Sequence, residues 1–139
     1  MMKKKITLGV LFGSREFFPA SLVSAARTQM FAALDELGVG YVALDGDVGV
    51  HGAVTTYDHA RLCADLFKKH ADEIDGILIS LPNFGDEKGI ADTLRLSGLR
   101  VPILVQAFPD DLDKFDVANR RDSFCGKISV CANLRQRNF

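Results

Sequence analysis

Gly76-Ile77-Leu78-Ile79-Ser80-Leu81 is apolar almost throughout and breaks at Pro82-Asn83-Phe84-Gly85-Asp86. A short apolar run without alternation, closed by turn residues, reads as a strand covered on both faces, as in a parallel sheet with crossover helices. The flanking segments agree. On the N-terminal side, Ala60, Cys63, Ala64, Phe67, Ala71 and Ile74 recur at helical spacing, and Thr55-Thr56-Tyr57-Asp58 opens that helix as a weak capping box. On the C-terminal side, a short helix over 88–97 is predicted to end at Gly98, and a further strand, Val101–Val105, starts at Pro102.

Farther out, Ile6–Phe12 reads as the first strand. Pro19 suits the first turn of the next helix, which carries Leu22, Ala26, Met30, Ala33, Leu34 and Leu37 on one face and stops at Gly38. Tyr41–Leu44 is a short second strand. After the fourth strand an acidic loop, Pro109–Val117, leads to a final helix with Asn119 as its cap, Asp122 in its first turn and Phe124, Ile128, Cys131 and Ala132 as its inward stripe. Gly126 should weaken that helix by ~1 kcal/mol relative to alanine. Strands alternating with helices define the α/β class: a three-layer Rossmann/flavodoxin-like domain with a mostly parallel sheet in the order 2-1-3-4. Such sheets usually have a fifth strand, so residues 1–139 read as one domain from a longer multidomain chain.

Composition narrows the function classes. The 139 residues are 47% hydrophobic and 25% charged with a net charge of −1, which gives no general field for nucleic acid or an anionic membrane. Lys3-Lys4-Lys5 is followed by an apolar run too short for a signal peptide, and no stretch approaches the ~20 residues of a membrane span. A cytoplasmic location is expected. Cys63, Cys125 and Cys131 form no CxxC pair and read as reduced, small apolar side chains.

No GxGxxG follows the first strand, there is no P-loop, and Ser14 lacks the GxSxG context of a nucleophile elbow. Gly46-Asp47-Val48-Gly49-Val50-His51-Gly52 reads as a flexible loop, with a substrate or subunit contact as the minority alternative. His51, His59, Asp45, Asp47 and Asp58 match no metal-ligand spacing, so no metal site is expected within the chain. His70 near a helix end suits the helix dipole.

What remains is a rim. In an open parallel sheet the carboxyl ends of the strands converge on the ligand crevice. There the sequence places Arg15, Phe17 and Phe18 after strand one, Asn83 and Phe84 after strand three, and Gln106 after strand four. Arg15 can fork onto vicinal hydroxyls or a carboxylate, or form a surface ion pair with Glu16 or Asp86. The phenylalanines can face the C–H side of a sugar or cover the sheet edge. Asn83 and Gln106 each combine a donor and an acceptor, which suits a hydroxyl, and either can bind loop backbone instead. The set fits a neutral, hydroxyl-rich ligand better than a phosphate.

Gly13-Ser14-Arg15-Glu16-Phe17-Phe18, Leu81-Pro82-Asn83-Phe84, Val105-Gln106-Ala107-Phe108 and Asn119-Arg120-Arg121-Asp122-Ser123-Phe124-Cys125-Gly126-Lys127 together resemble the amino-terminal domain of the L-fucose/L-arabinose isomerase family, most closely its fucose-isomerase-like members. The resemblance implies an aldose–ketose isomerase using Mn2+ held by later domains. It also implies a homo-oligomer, trimer or hexamer, whose site is completed by an adjacent subunit. By the same resemblance Arg15, Phe17, Phe18, Phe84 and Gln106 contact the monosaccharide, with Asn83 added from its donor and acceptor chemistry, and no catalytic residue lies in this chain. Pro82-Asn83 stands where arabinose isomerases have His-Thr, and Phe108-Pro109 where they have Phe-Asn; these departures bear on which sugar is bound. The chain alone is expected to be inactive. The rival reading is a free-standing sugar-binding or regulatory module without catalysis, and a third is a nucleotide- or flavin-binding domain.

Overall fold

The computed structural model describes residues 4–139, so Lys3 of the basic run lies outside the described residues. The elements are β1 (Thr7–Gly13), α1 (Ala20–Glu36), β2 (Gly40–Ala43), β3 (Ala53–Val54), α2 (Tyr57–Lys69), β4 (Gly76–Leu81), α3 (Glu87–Ser97), β5 (Ile103–Ala107) and α4 (Ser123–Gln136). Every pairing between these strands is parallel, and one isolated antiparallel bridge joins Val50 to Ala53. The sheet runs β2-β1-β4-β5, the expected order, and β3 bonds to β1 beyond the end of β2.

Two-residue side-chain alternation sorts the core into two layers. Val10, Phe12 and Leu78 point toward Val23, Met30 and Leu34 of α1. Leu11, Ile77, Ile79 and Leu81 point the other way, into a core with Ala60, Cys63 and Phe67 of α2, Ile90, Ala91 and Leu94 of α3, and Val130 and Leu134 of α4. All six residues of β4 are buried, as its unbroken apolar run requires.

The helix ends follow from local chemistry. Thr56 caps α2 by accepting from the His59 N–H, and Asp86 caps α3 by accepting from the Lys88 N–H. Gly38 and Gly98 take positive φ just past α1 and α3, where a side chain would be strained.

Five expectations need correction. Ala33 and Leu37 of α1 are exposed, and Val23 is buried in their place. The α2 stripe stops at Phe67: Ala71 is exposed, and Ile74 is buried from the connecting loop rather than from the helix. The stretch 46–52 is a braced loop ahead of the unexpected β3, not a free one. The Arg27 guanidinium donates to the Leu44 and His51 carbonyls and lies 4.7 Å from the Phe31 ring centroid, while the His59 ring packs on Gly49. Burial lowers the Arg27 pKa from its ordinary value, opposed by nearby Asp45 and Tyr41.

The largest correction is α4. Phe124, Ile128 and Cys131 face outward and Ala132 is exposed; the inward residues are Ser123, Gly126, Val130 and Leu134. The reason is steric. The helix passes so close to the Phe84 backbone that a Cβ on Gly126 would lie 2.6 Å from its carbonyl carbon, and closer still to the oxygen. Only a glycine face fits there, so the bulky stripe turns away. Asn119 is not the cap: its amide bonds the Asp116 carboxylate, and Asp122, in the left-handed region, precedes the helix without a side-chain cap bond.

Candidate functional site

Three loops meet at the carboxyl ends of β1, β4 and β5. Asn83 joins the first two. Its carbonyl oxygen accepts from the Arg15 and Gly85 backbone N–H groups, at 3.1 and 3.0 Å, and its NH2 donates to the Ser14 hydroxyl at 2.9 Å. Asn83 is fully buried, so in this chain it binds loop backbone and Ser14 and presents no polar atom to an open surface.

That brace sets Arg15. Its Nε donates to the Gly85 carbonyl at 3.1 Å, one Nη pairs with the Glu87 carboxylate at 2.7 Å, and its guanidinium carbon lies 4.4 Å from the Phe84 ring centroid. The ion-pair partner is thus Glu87, neither Glu16 nor Asp86. An arginine has five N–H bonds in a rigid fork. Two are used, which leaves three for a ligand.

Arg15 lines an open cleft of ≈ 440 Å³ with Glu16, Phe17, Thr55 and Asp86. Phe17 is 72% exposed and stacks on the buried Phe18 ring at 4.7 Å, so Phe17 offers a face and Phe18 supports it. Glu87 pairs with the guanidinium, and Glu16 and Asp86 line the same cleft, so three carboxylates share this end of the sheet with one guanidinium. The local field therefore disfavours an anionic ligand and tolerates a neutral one.

Gln106 lies on the other side of the strand ends. Its carbonyl oxygen accepts from the Ser80 hydroxyl at 2.8 Å, and its NH2 has no partner among the described residues. Ser80 pairs in register with both Phe12 and Gln106, which puts this pair on the α1 face; Arg15 is fixed to α3 and Phe84 lies against α4. A ligand touching Arg15 and Gln106 together would straddle the ends of β1, β4 and β5. The structure brings Arg15, Asn83 and Phe84 into contact and leaves Gln106 apart from them.

Sequence reasoning missed Glu87, Ser80 and Arg121. Arg121 donates to the Pro82 carbonyl at 2.8 Å and lies over the Phe108 ring, its backbone N–H bonds Asp110, and the Ser123 hydroxyl donates to the Phe108 carbonyl. These bonds close the loop after β5 onto the loop after β4. Burial lowers the Arg121 pKa from its ordinary value, with Asp110 acting in the opposite direction. Its place inside Asn119–Lys127 was the available signal. Among the described residues no group of three His, Cys, Asp or Glu side chains stands together to hold a metal ion, and no helix is long and apolar enough to cross a membrane.

A parallel sheet in the order β2-β1-β4-β5 with helices on both faces and a polar and aromatic rim at its carboxyl edge defines a flavodoxin-like α/β domain. Residues 9–139 match the family model described as fucose/sulfoquinovose isomerase, N-terminal domain, and the chain belongs to that family. A search of curated proteins returned no match to this chain.

Proposed function

We propose that this chain is the substrate-contacting N-terminal domain of an aldose–ketose isomerase acting on a neutral sugar. The observation that carries the reading is Arg15, held above the Phe84 ring by Glu87 and Gly85 at the mouth of β1, in a chain of this family. Three free N–H bonds can fork onto neighbouring hydroxyls, and the exposed Phe17 face suits the C–H side of a sugar. Gln106, steadied by Ser80, offers its NH2 to a hydroxyl from the α1 side.

The reaction moves a proton between C1 and C2 through an ene-diol, which requires a carboxylate free to take and return it. Glu87 is tied to Arg15 and Asp86 to the start of α3, and the resemblance to the isomerase family assigns the acid/base group to later domains of the full-length protein. Manganese, expected from the resemblance, finds no cluster of side chains to hold it among the described residues. The role left to the chain is to orient the far end of the sugar, and orientation can contribute several kcal/mol to the rate without chemistry at these residues. An adjacent subunit of a trimer or hexamer completes the site. The family model covers both a neutral and a sulfonated sugar; the carboxylates around Arg15 favour the neutral one.

The test uses the full-length protein and a panel of aldoses. Arg15→Ala removes charge-assisted hydrogen bonds worth roughly 1.5–3 kcal/mol, so kcat/KM should fall about 10- to 100-fold while the fold is kept. Gln106→Ala should act in the same direction and less. Unchanged kinetics in both variants would remove these residues from the site. Turnover by residues 1–139 alone, with Mn2+ added, would place the chemistry inside this chain and overturn the assignment.

A further inference from the structure

We infer that Thr55 is a further sugar-reading residue of the Arg15 cleft, and that His59 fixes its hydroxyl so that the oxygen accepts from a substrate hydroxyl. The inference deepens the proposed function and rests on it. Neither residue belongs to the loops after β1, β4 and β5; both come from the chain that follows β3.

The cleft needs a fixed acceptor. A sugar hydroxyl both donates and accepts, whereas a guanidinium only donates. Arg15 can therefore meet the oxygen of such a hydroxyl but leaves its hydrogen without a partner. The other polar side chains lining the cleft are Glu16, Thr55 and Asp86. Glu16 is exposed and unpaired among the described residues, so nothing holds it in one place. Asp86 is committed to the start of α3 through the Lys88 N–H. Thr55 is half-buried, and its hydroxyl is held.

The sheet puts Thr55 there. Gly13 of β1 and Val54 of β3 are partners in register, and the Ser14 N–H donates to the Val54 carbonyl at 3.2 Å. Ser14-Arg15 and Thr55 therefore leave the sheet side by side. Nor does the helix require Thr55. Thr56 already caps α2 by accepting from the His59 N–H at 3.2 Å, so the hydroxyl of Thr55 is spare.

His59 sets how that hydroxyl is presented. Thr55 Oγ1 lies 3.1 Å from His59 Nδ1. With the imidazole neutral and its proton assigned to Nε2, the threonine donates to Nδ1, and the lone pairs of its oxygen remain for the cleft. The ring is fixed in turn. It packs on Gly49, which has a φ of 56° and where a Cβ would lie 2.5 Å from Cε1. Only glycine suits both that backbone and that approach. The braced 46–52 loop thus acts on the cleft through one imidazole and one hydroxyl.

Kinetics of the full-length protein test this, with the panel aldose that is turned over best and its monodeoxy analogues as probes. Thr55→Val keeps the shape and removes the hydroxyl. It should lower kcat/KM about 3- to 10-fold, the range for one neutral hydrogen bond, and Thr55→Ser should restore most of the loss. For the analogue that lacks the contacted hydroxyl, Thr55→Val should change nothing. His59→Phe keeps a ring on Gly49 and removes the acceptor; it should lower kcat/KM, and adding Thr55→Val to it should have little further effect. An unchanged kcat/KM in Thr55→Val, or an equal loss on every analogue, overturns the inference. Independent, additive losses in the double variant overturn the role given to His59. Arg15→Ala separates the two readings. If it lowers kcat/KM and Thr55→Val does not, the present inference alone fails; if neither matters, or no aldose is turned over, the isomerase reading fails with it.

Discussion

Gly126→Ala is the sharpest test of how α4 meets the site. By helix propensity alone the change should stabilise the protein by about 1 kcal/mol. The packing reverses that sign. The new methyl would lie 2.6 Å from the Phe84 carbonyl carbon and 2.7 Å from its Cα, where ordinary contact begins near 3.4 Å. Both neighbours are backbone, so no rotamer can relieve the clash. Either α4 lifts off the sheet or the loop after β4 moves, by about 1 Å. Overpacking of this kind costs roughly 1–3 kcal/mol and sometimes more, enough to offset the propensity gain. Because backbone cannot give way cheaply, the upper part of that range applies. Less the ~1 kcal/mol gain, it leaves a net loss of about 1–2 kcal/mol. We expect a Tm lower by about 3–7 °C, read by circular dichroism or calorimetry. Since Phe84 underlies the Arg15 guanidinium, KM in the full-length enzyme should rise as well. A Tm equal to or above that of the wild type would refute the close approach.

Glu87→Gln removes the carboxylate paired with Arg15; a single charge at this half-exposed position is worth about 1 kcal/mol, so kcat/KM for a sulfonated over a neutral sugar should rise roughly fivefold in competition assays. Cys63, whose thiol is pushed up to about 12 by burial, should resist alkylation at pH 8 in the native protein while exposed Cys125 reacts, as mass spectrometry of the labelled peptides will show. Asp75 is held below the usual carboxylate range by the Lys4 ammonium and the Thr7 N–H. Its contribution is therefore present above the ordinary value near ~3.9 and lost as pH falls through the lower folded value. Asp75→Asn should flatten the acid limb of a Tm-against-pH curve, and an unchanged limb would rule this pair out as its cause.

Much of the architecture could be read from residues alone because local signals and tertiary demand agree. The unbroken run at β4, the Thr56 start and the glycines after α1 and α3 each report a short-range constraint. β3 was invisible because two residues carry no periodicity. The face of α4 was misread because the largest apolar residues were assigned inward, whereas a tight backbone crossing selects the smallest. At the rim, the position of Arg15 followed from the strand end, but its partner did not: Glu87 lies 72 residues away and meets it only through the sheet. Asn83 and Gln106 have the same chemistry in sequence. Only the register shows that one is buried beneath a loop and the other sits beside Ser80.

The placement of Asn83 has a consequence for how such a domain can diverge. One buried amide fastens the starts of two loops, while the tips that carry Phe17 and the free end of Arg15 hang from that fastening. Tips can then be exchanged one at a time on an unaltered foundation. If the tips touch the sugar as proposed, descendants with different sugar preferences are reachable by single substitutions at the surface, provided that the asparagine beneath them is left alone.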